Sequence, residues 1–141
     1  MENIRIRYYS KTGNTKHVAE YIANSLNIKA LSITDSDYDS SCGLLFLGGA
    51  PYANIMSSKL REYANNLKSE NVKAVALFTT SNWSRRTVRA LKKILTEKNI
   101  FVFDDYLYVH MLKVNSSEEK AKEFVKNIIK KYEEINNGKD S

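Results

Sequence analysis

The run Leu44-Leu45-Phe46-Leu47 is apolar at every position and stops at Gly48-Gly49. A strand wetted on one face alternates apolar with polar residues, so a run without alternation reads as a strand covered on both sides. The rest of the chain fits that reading. Further β-rich stretches at 4–9, 28–33, 72–79 and 100–109 alternate with helical stripes. The stripes are Val18, Ile22 and Leu26; Leu60, Tyr63, Ala64 and Leu67; Val88, Leu91 and Leu95; and Ala121, Val125, Ile128, Ile129 and Tyr132. Ser116 and Glu119 have capping-box spacing ahead of the last stripe. The pattern predicts an α/β protein, a three-layer, doubly wound fold whose five-stranded parallel sheet carries helices on both faces. With 141 residues and no repeat, low-complexity tract or linker, residues 1–141 read as a single domain.

Composition narrows the function. One cysteine allows no internal disulfide, and with two histidines it allows neither a zinc site of four cysteines nor one of two cysteines and two histidines. No apolar run is long enough to span a bilayer, and the opening MENIRIRYYS lacks the apolar core of a signal peptide. Membrane insertion is not expected, and a cytoplasmic location is. The net charge of +6 favours acidic partners. Many lysines near the C-terminus interleave with glutamates and read as a solvated face, whereas Arg85, Arg86, Arg89, Lys92 and Lys93 form a tighter cluster.

Ligands of doubly wound sheets bind beyond the carboxyl ends of the strands, where the strand order reverses. The loop after the first strand is Ser10-Lys11-Thr12-Gly13-Asn14-Thr15, and a helix starts at once. It offers hydroxyls and successive backbone N–H groups at a helix N-terminus, with Gly13 free to turn tightly, which is the chemistry of phosphate binding. The spacing is neither GxxxxGK[ST] nor GxGxxG. The loop after the third strand runs Ala50-Pro51-Tyr52-Ala53-Asn54, and that after the fourth runs Thr79-Thr80-Ser81-Asn82-Trp83. Each carries one aromatic in a small polar setting. Cys42 reads as inert packing and His17 as a surface residue, and His110 is given no role. Asp35, Asp37 and Asp39 lack the Gly and Glu of a calcium loop. No Ser/His/Asp or Cys/His set is visible, so catalytic side chains are not expected and the chemistry should belong to a cofactor.

Tyr9-Ser10-Lys11-Thr12-Gly13-Asn14-Thr15 resembles the FMN-phosphate loop, [ST]-x-T-G-x-T, of the flavodoxins. The resemblance extends through the order of strands and helices, and no insertion splits the fifth strand, as in the short-chain type. It implies strand order 2-1-3-4-5, non-covalent FMN and electron transfer between redox partners. It implies that Ser10, Lys11, Thr12, Gly13, Asn14 and Thr15 hold the phosphate and that Tyr52 and Trp83 sandwich the flavin. Ala50, Pro51, Ala53, Asn54, Thr79, Thr80, Ser81 and Asn82 then serve the ring edge and ribityl chain. An electron carrier is expected rather than an enzyme with its own substrate. The alternatives are an FMN reductase of a small substrate such as a quinone, and a flavodoxin-like binding or activator module. Nucleic-acid binding through the basic surface is secondary.

Three departures from the family carry expectations. Arg5 and Arg7 share one face of the first strand, and only residues 34–42 join the second strand to the third. A crossover with a helix usually takes a dozen residues or more, so the second helix is expected to be lost or reduced, leaving Arg5, Arg7 and Lys29 on a partly open basic face. Ala53-Asn54 stands where short-chain flavodoxins often place a glycine-containing turn, which makes a peptide rotation there costlier. Finally, Arg85 and Arg86 follow Trp83 where flavodoxins are typically acidic. Cations there would bring the two one-electron potentials of FMN closer together and draw a redox partner with an acidic docking surface.

Overall fold

The structure is a computed structural model, and it describes residues 3–35, 41–52 and 55–139, the side chains of Tyr52, Ile55 and Lys139 excepted. The elements are β1 (Ile4–Tyr8), α1 (Asn14–Leu26), β2 (Ala30–Ser32), β3 (Cys42–Gly49), β4 (Pro51–Tyr52), β5 (Ile55–Met56), α2 (Ser58–Asn66), β6 (Val72–Ser81), α3 (Arg86–Glu97), β7 (Phe101–His110), a 3₁₀ turn (Met111–Ser116) and α4 (Glu118–Lys139). One all-parallel sheet takes the order β2-β1-β3-β6-β7, which is 2-1-3-4-5 when only its own strands are counted. The short β4–β5 hairpin stands apart from it.

Alternate residues of the central strands feed two cores. Ile6, Tyr8, Leu44, Phe46, Ala76 and Phe78 pack under α1 and α4, against Val18, Ile22, Phe124 and Ile128. Leu45, Leu47, Val75 and Leu77 pack under α2 and α3, against Leu60, Tyr63, Leu91 and Leu95. All eight residues of β3 are buried, which accounts for its unbroken apolar run. On the far edge, the Asp105 carboxylate is held by the Lys131 ammonium and the Asn127 amide, tying β7 to α4 and keeping the carboxyl below its usual range. Among the described residues no helix is long and apolar enough to cross a membrane.

The expected basic face is corrected in one respect. Arg7 is not open to solvent: it pairs with Leu47 across the β1–β3 ladder, on the α2/α3 side, and is 3% exposed. Its Nη1 donates to the Ile6 carbonyl at 3.1 Å, and its Nε has no partner among the described residues. Arg5 is half-buried, with Nε donating to the Ser41 carbonyl at 3.0 Å, and Lys29 is exposed. Residues 33–35 form a turn after β2, and the rest of the short crossover, 36–40, with Asp37 and Asp39, lies outside the described residues. Cys42 opens β3 as a buried free thiol, and burial pushes it up to about 11 against the opposing pull of Arg5 and Arg7.

The capping box does not form as expected. The Ser116 hydroxyl donates to the Lys113 carbonyl and the Ser117 hydroxyl to that of Val114, closing the 3₁₀ turn instead, and α4 begins only at Glu118.

Candidate functional site

The carboxyl ends of β1, β3 and β6 open on a cavity of about 570 Å³. Its walls are Thr12 and Asn14 from the first loop, Ala50 and Pro51 from the second, and Thr80, Ser81, Asn82, Trp83 and Ser84 from the third, with Met111 at the rim. Three loops that are remote in sequence therefore converge, because β1, β3 and β6 are neighbours in the sheet.

The first loop leads into the open N-terminus of α1. Gly13 is the N-cap of α1 at φ +96°, a left-handed conformation that a side chain would strain. Among the described residues no side chain bonds the first N–H groups of α1 beyond the N-cap, and its first turn carries no acidic residue. The first N–H groups of α1 therefore keep the donor capacity and partial positive charge of a free helix N-terminus. Thr12 is exposed at the mouth. Ser10 Oγ accepts the Gly13 N–H at 3.0 Å, which fixes the turn.

Thr15 faces inward. Its hydroxyl meets that of Thr80 at 2.7 Å, both side chains fully buried, and this pair locks the start of α1 to the end of β6. Removing one partner leaves a buried hydroxyl unsatisfied, at a cost of about 1–3 kcal/mol, whereas removing both is far milder. Thr80→Val is therefore expected to lower stability by about 1–3 kcal/mol, and Thr15→Val/Thr80→Val together by less than the sum of the single changes. Urea unfolding of the three variants checks this. Additive losses would mean the pair is not coupled. Thr79, also buried, donates its hydroxyl to the Gly49 carbonyl at 2.7 Å and does not line the cavity. Its bond joins β3 to β6 just behind the site.

The third loop is held from the end of β7. Trp83 has φ +77°, which is uncommon for a bulky residue and costs on the order of 1–3 kcal/mol unless its surroundings enforce it. The enforcement is visible. The Trp83 N–H donates to the Tyr108 hydroxyl at 2.8 Å, and that hydroxyl donates to the Ser81 carbonyl at 3.1 Å. The Arg85 guanidinium lies 3.6 Å from the Tyr108 ring centroid and donates from Nε to the Tyr106 hydroxyl at 2.8 Å. The Trp83 ring is left 74% exposed beside the cavity. Arg85 is thus committed to two tyrosines, while Arg86 and Arg89 are exposed and have no ion pair among the described residues.

No family model matches the chain, and no curated protein does. Solved structures do. A flavodoxin from the domain Archaea superposes with a TM-score of 0.80 at 20% identity, over 92% of this chain and 98% of that one. A Fusobacterium nucleatum flavodoxin variant bound to flavin mononucleotide gives 0.74 at 18% identity, over 93% and 97%. The rubredoxin:oxygen oxidoreductase of Desulfovibrio gigas gives 0.78 at 17% identity, over 92% of this chain and 36% of that larger one. This chain has the flavodoxin fold.

Within that flavodoxin fold the structure brings together Thr12, Asn14, Ala50, Pro51, Thr80, Ser81, Asn82 and Trp83. Ser10, Lys11, Gly13 and Thr15 shape the first loop without lining the cavity, and Tyr52 lies in the β4–β5 hairpin. Ala53 and Asn54, and with them the turn expected to rotate, lie outside the described residues, as does the Tyr52 side chain. Sequence reasoning missed Ser84, Met111, Tyr108 and His110. His17, half-buried, bonds Tyr21 Oη through Nε2 at 3.0 Å and does not line the cavity.

Proposed function

We propose that this protein binds FMN in the cavity and carries electrons between redox partners. The observation that supports this most is the uncapped N-terminus of α1, entered through left-handed Gly13, at one end of a cavity whose other wall is Trp83. The donor set fits the group. Backbone N–H groups at the start of α1 and the Thr12 hydroxyl suit a phosphate dianion, and a volume of about 570 Å³ lies within the usual range for ligand pockets. Thr80, Ser81 and Asn82 would serve the ribityl chain and ring edge, with Ala50, Pro51 and Trp83 against the ring. Bound FMN would supply reversible one-electron transfer. The chain's own part is to anchor the phosphate, to keep an apolar wall on the ring and to leave one edge accessible.

The partner would dock at the rim, where Trp83, Met111 and Leu112 are exposed next to Arg86 and Arg89, which have no ion pair among the described residues. An apolar centre with cations beside it suits a partner whose own docking surface is acidic.

The test is a titration of the purified apoprotein with FMN. Trp83 is the only tryptophan, so quenching of its emission reports ring binding directly. Saturable quenching with one FMN per chain is expected, accompanied by a shifted flavin absorption band. No quenching at micromolar FMN would overturn the reading.

A further inference from the structure

His110 closes β7 next to the Trp83 loop and has no part in the reading above. Both of its ring nitrogens are engaged. Nδ1 accepts the Leu112 N–H at 3.1 Å and so caps the 3₁₀ turn, while Nε2 lies 2.9 Å from Asn82 Oδ1. The ring also meets the Trp83 indole edge-on, with centroids 4.8 Å apart and planes at 61°. A nitrogen that accepts an N–H carries no proton, so these contacts are consistent only with the neutral imidazole whose proton sits on Nε2 and is donated to Asn82. The one residue thus touches the side chain of Asn82, the Trp83 indole and the backbone just after Met111, the first two of them cavity-lining and the third beside a lining residue.

We propose that His110 is a positioning residue whose neutral form holds the Trp83 side of the cavity, and that its protonation releases that side. A proton added to Nδ1 would face the Leu112 N–H, donor against donor, so the cap is lost and Met111 is freed with it. The imidazolium would then lie against the indole and keep only its bond to Asn82. The charged groups on the packed elements are mostly cations. Lys113 lies in the 3₁₀ turn, Lys120 of α4 donates to the Tyr108 carbonyl at 2.6 Å, and Arg85 covers the Tyr108 ring. Glu118 and Glu119 open α4, and Glu119 is engaged by Lys122 at 3.6 Å. No carboxylate is in contact with the imidazole among the described residues, so the positive charge gained on protonation has no counter-ion there.

The proposal concerns the protein itself and rests on the FMN reading only for its effect on cofactor affinity. It is tested first on the apoprotein, through the emission of its single tryptophan as the pH is lowered from about 8 to about 5. The wild-type emission is expected to fall by about half as the imidazolium forms in contact with the indole. The His110→Gln variant should show a flat profile, and His17→Gln should titrate like the wild type. A flat wild-type profile, or a His110→Gln profile that still titrates, would overturn the proposal. Should His110→Gln fail to fold, NMR on the wild type decides: the Leu112 amide must shift with the same midpoint as the tryptophan emission, and an unmoved amide would equally overturn it. FMN affinity should also fall about tenfold at the acid end in the wild type but not in His110→Gln, about the worth of one lost cap. If the emission titrates as described but FMN binds at neither pH, the cofactor reading fails and the His110 assignment stands.

Discussion

Riboflavin is expected to bind this protein at least about 100-fold more weakly than FMN. Only the phosphate distinguishes the two ligands, and its proposed place is the first loop, where the Thr12 hydroxyl stands at the open N-terminus of α1. Each hydrogen bond to a charged acceptor is worth about 1.5–3 kcal/mol, so losing two already accounts for a factor of about 100. The free N-terminus of α1 adds its partial charge, because no acidic residue in the first turn offsets it. Thr12→Ala should weaken FMN by about tenfold and leave riboflavin unchanged. Thr12 is the residue to change, since Thr15 is tied into the buried pair with Thr80 and altering it perturbs the fold. Both affinities can be read from quenching of Trp83. Equal affinities for the two flavins would place the phosphate somewhere other than the start of α1.

Arg7→Met is expected to stabilise the protein. The guanidinium is buried against the α2/α3 core, with its Nε unpartnered among the described residues and a bond from Nη1 to the adjacent carbonyl. Arg7 has no ion pair among the described residues, burying an unpaired charge is costly, and even complete buried ion pairs often gain about 1–4 kcal/mol when replaced by apolar residues of similar volume. Methionine is unbranched and fills irregular space beside Leu45 and Leu47. A gain of that size raises the melting temperature of a domain this large by roughly 3–14 °C. Calorimetry on the two proteins decides it, and a lower melting temperature for Arg7→Met would mean that the guanidinium is compensated after all.

The alternation of strands and helices was legible because it depends on periodicity, which local sequence carries, whereas the order of the sheet was implied only by the resemblance of the first loop to that of the flavodoxins. The extent of β3 was not legible. Gly48 and Gly49 read as the end of the strand, yet they and Gly43 all lie inside it. Their missing side chains make room for others: a Cβ at Gly48 would collide with the Phe78 ring, and one at Gly43 with the Tyr132 hydroxyl. Those neighbours come from β6 and α4, so no local window reveals them. The same holds for the site. Its first loop put Thr12 and Asn14 at the cavity because the start of α1 follows β1 directly in sequence, whereas the hydroxyl of Thr15, read as a ligand, turns inward to Thr80. Tyr108 and His110 could not be read, because they reach the Trp83 loop across more than twenty residues of chain. Arg7 was read correctly as anomalous but placed in solvent, because the sequence pattern does not show how closely β1 is covered on the α2/α3 side.

The position of β1 has a consequence for how the chain is made. β1 is synthesised before both of its partners, yet it sits between β2 and β3 and completes its pairing only when residues 44–48 are available. One of its faces waits longer still. Ile6, Phe46 and Phe78 are sealed partly by Phe124, Val125 and Ile128 of α4, the element of this fold that leaves the ribosome last. Until then the nascent chain presents a wide apolar sheet face with only α1 to cover it. Parallel pairings between distant segments also form slowly. A chain stalled or truncated before α4 should therefore be captured by chaperones or aggregate, and the emergence of α4 is the step that lets the sheet close.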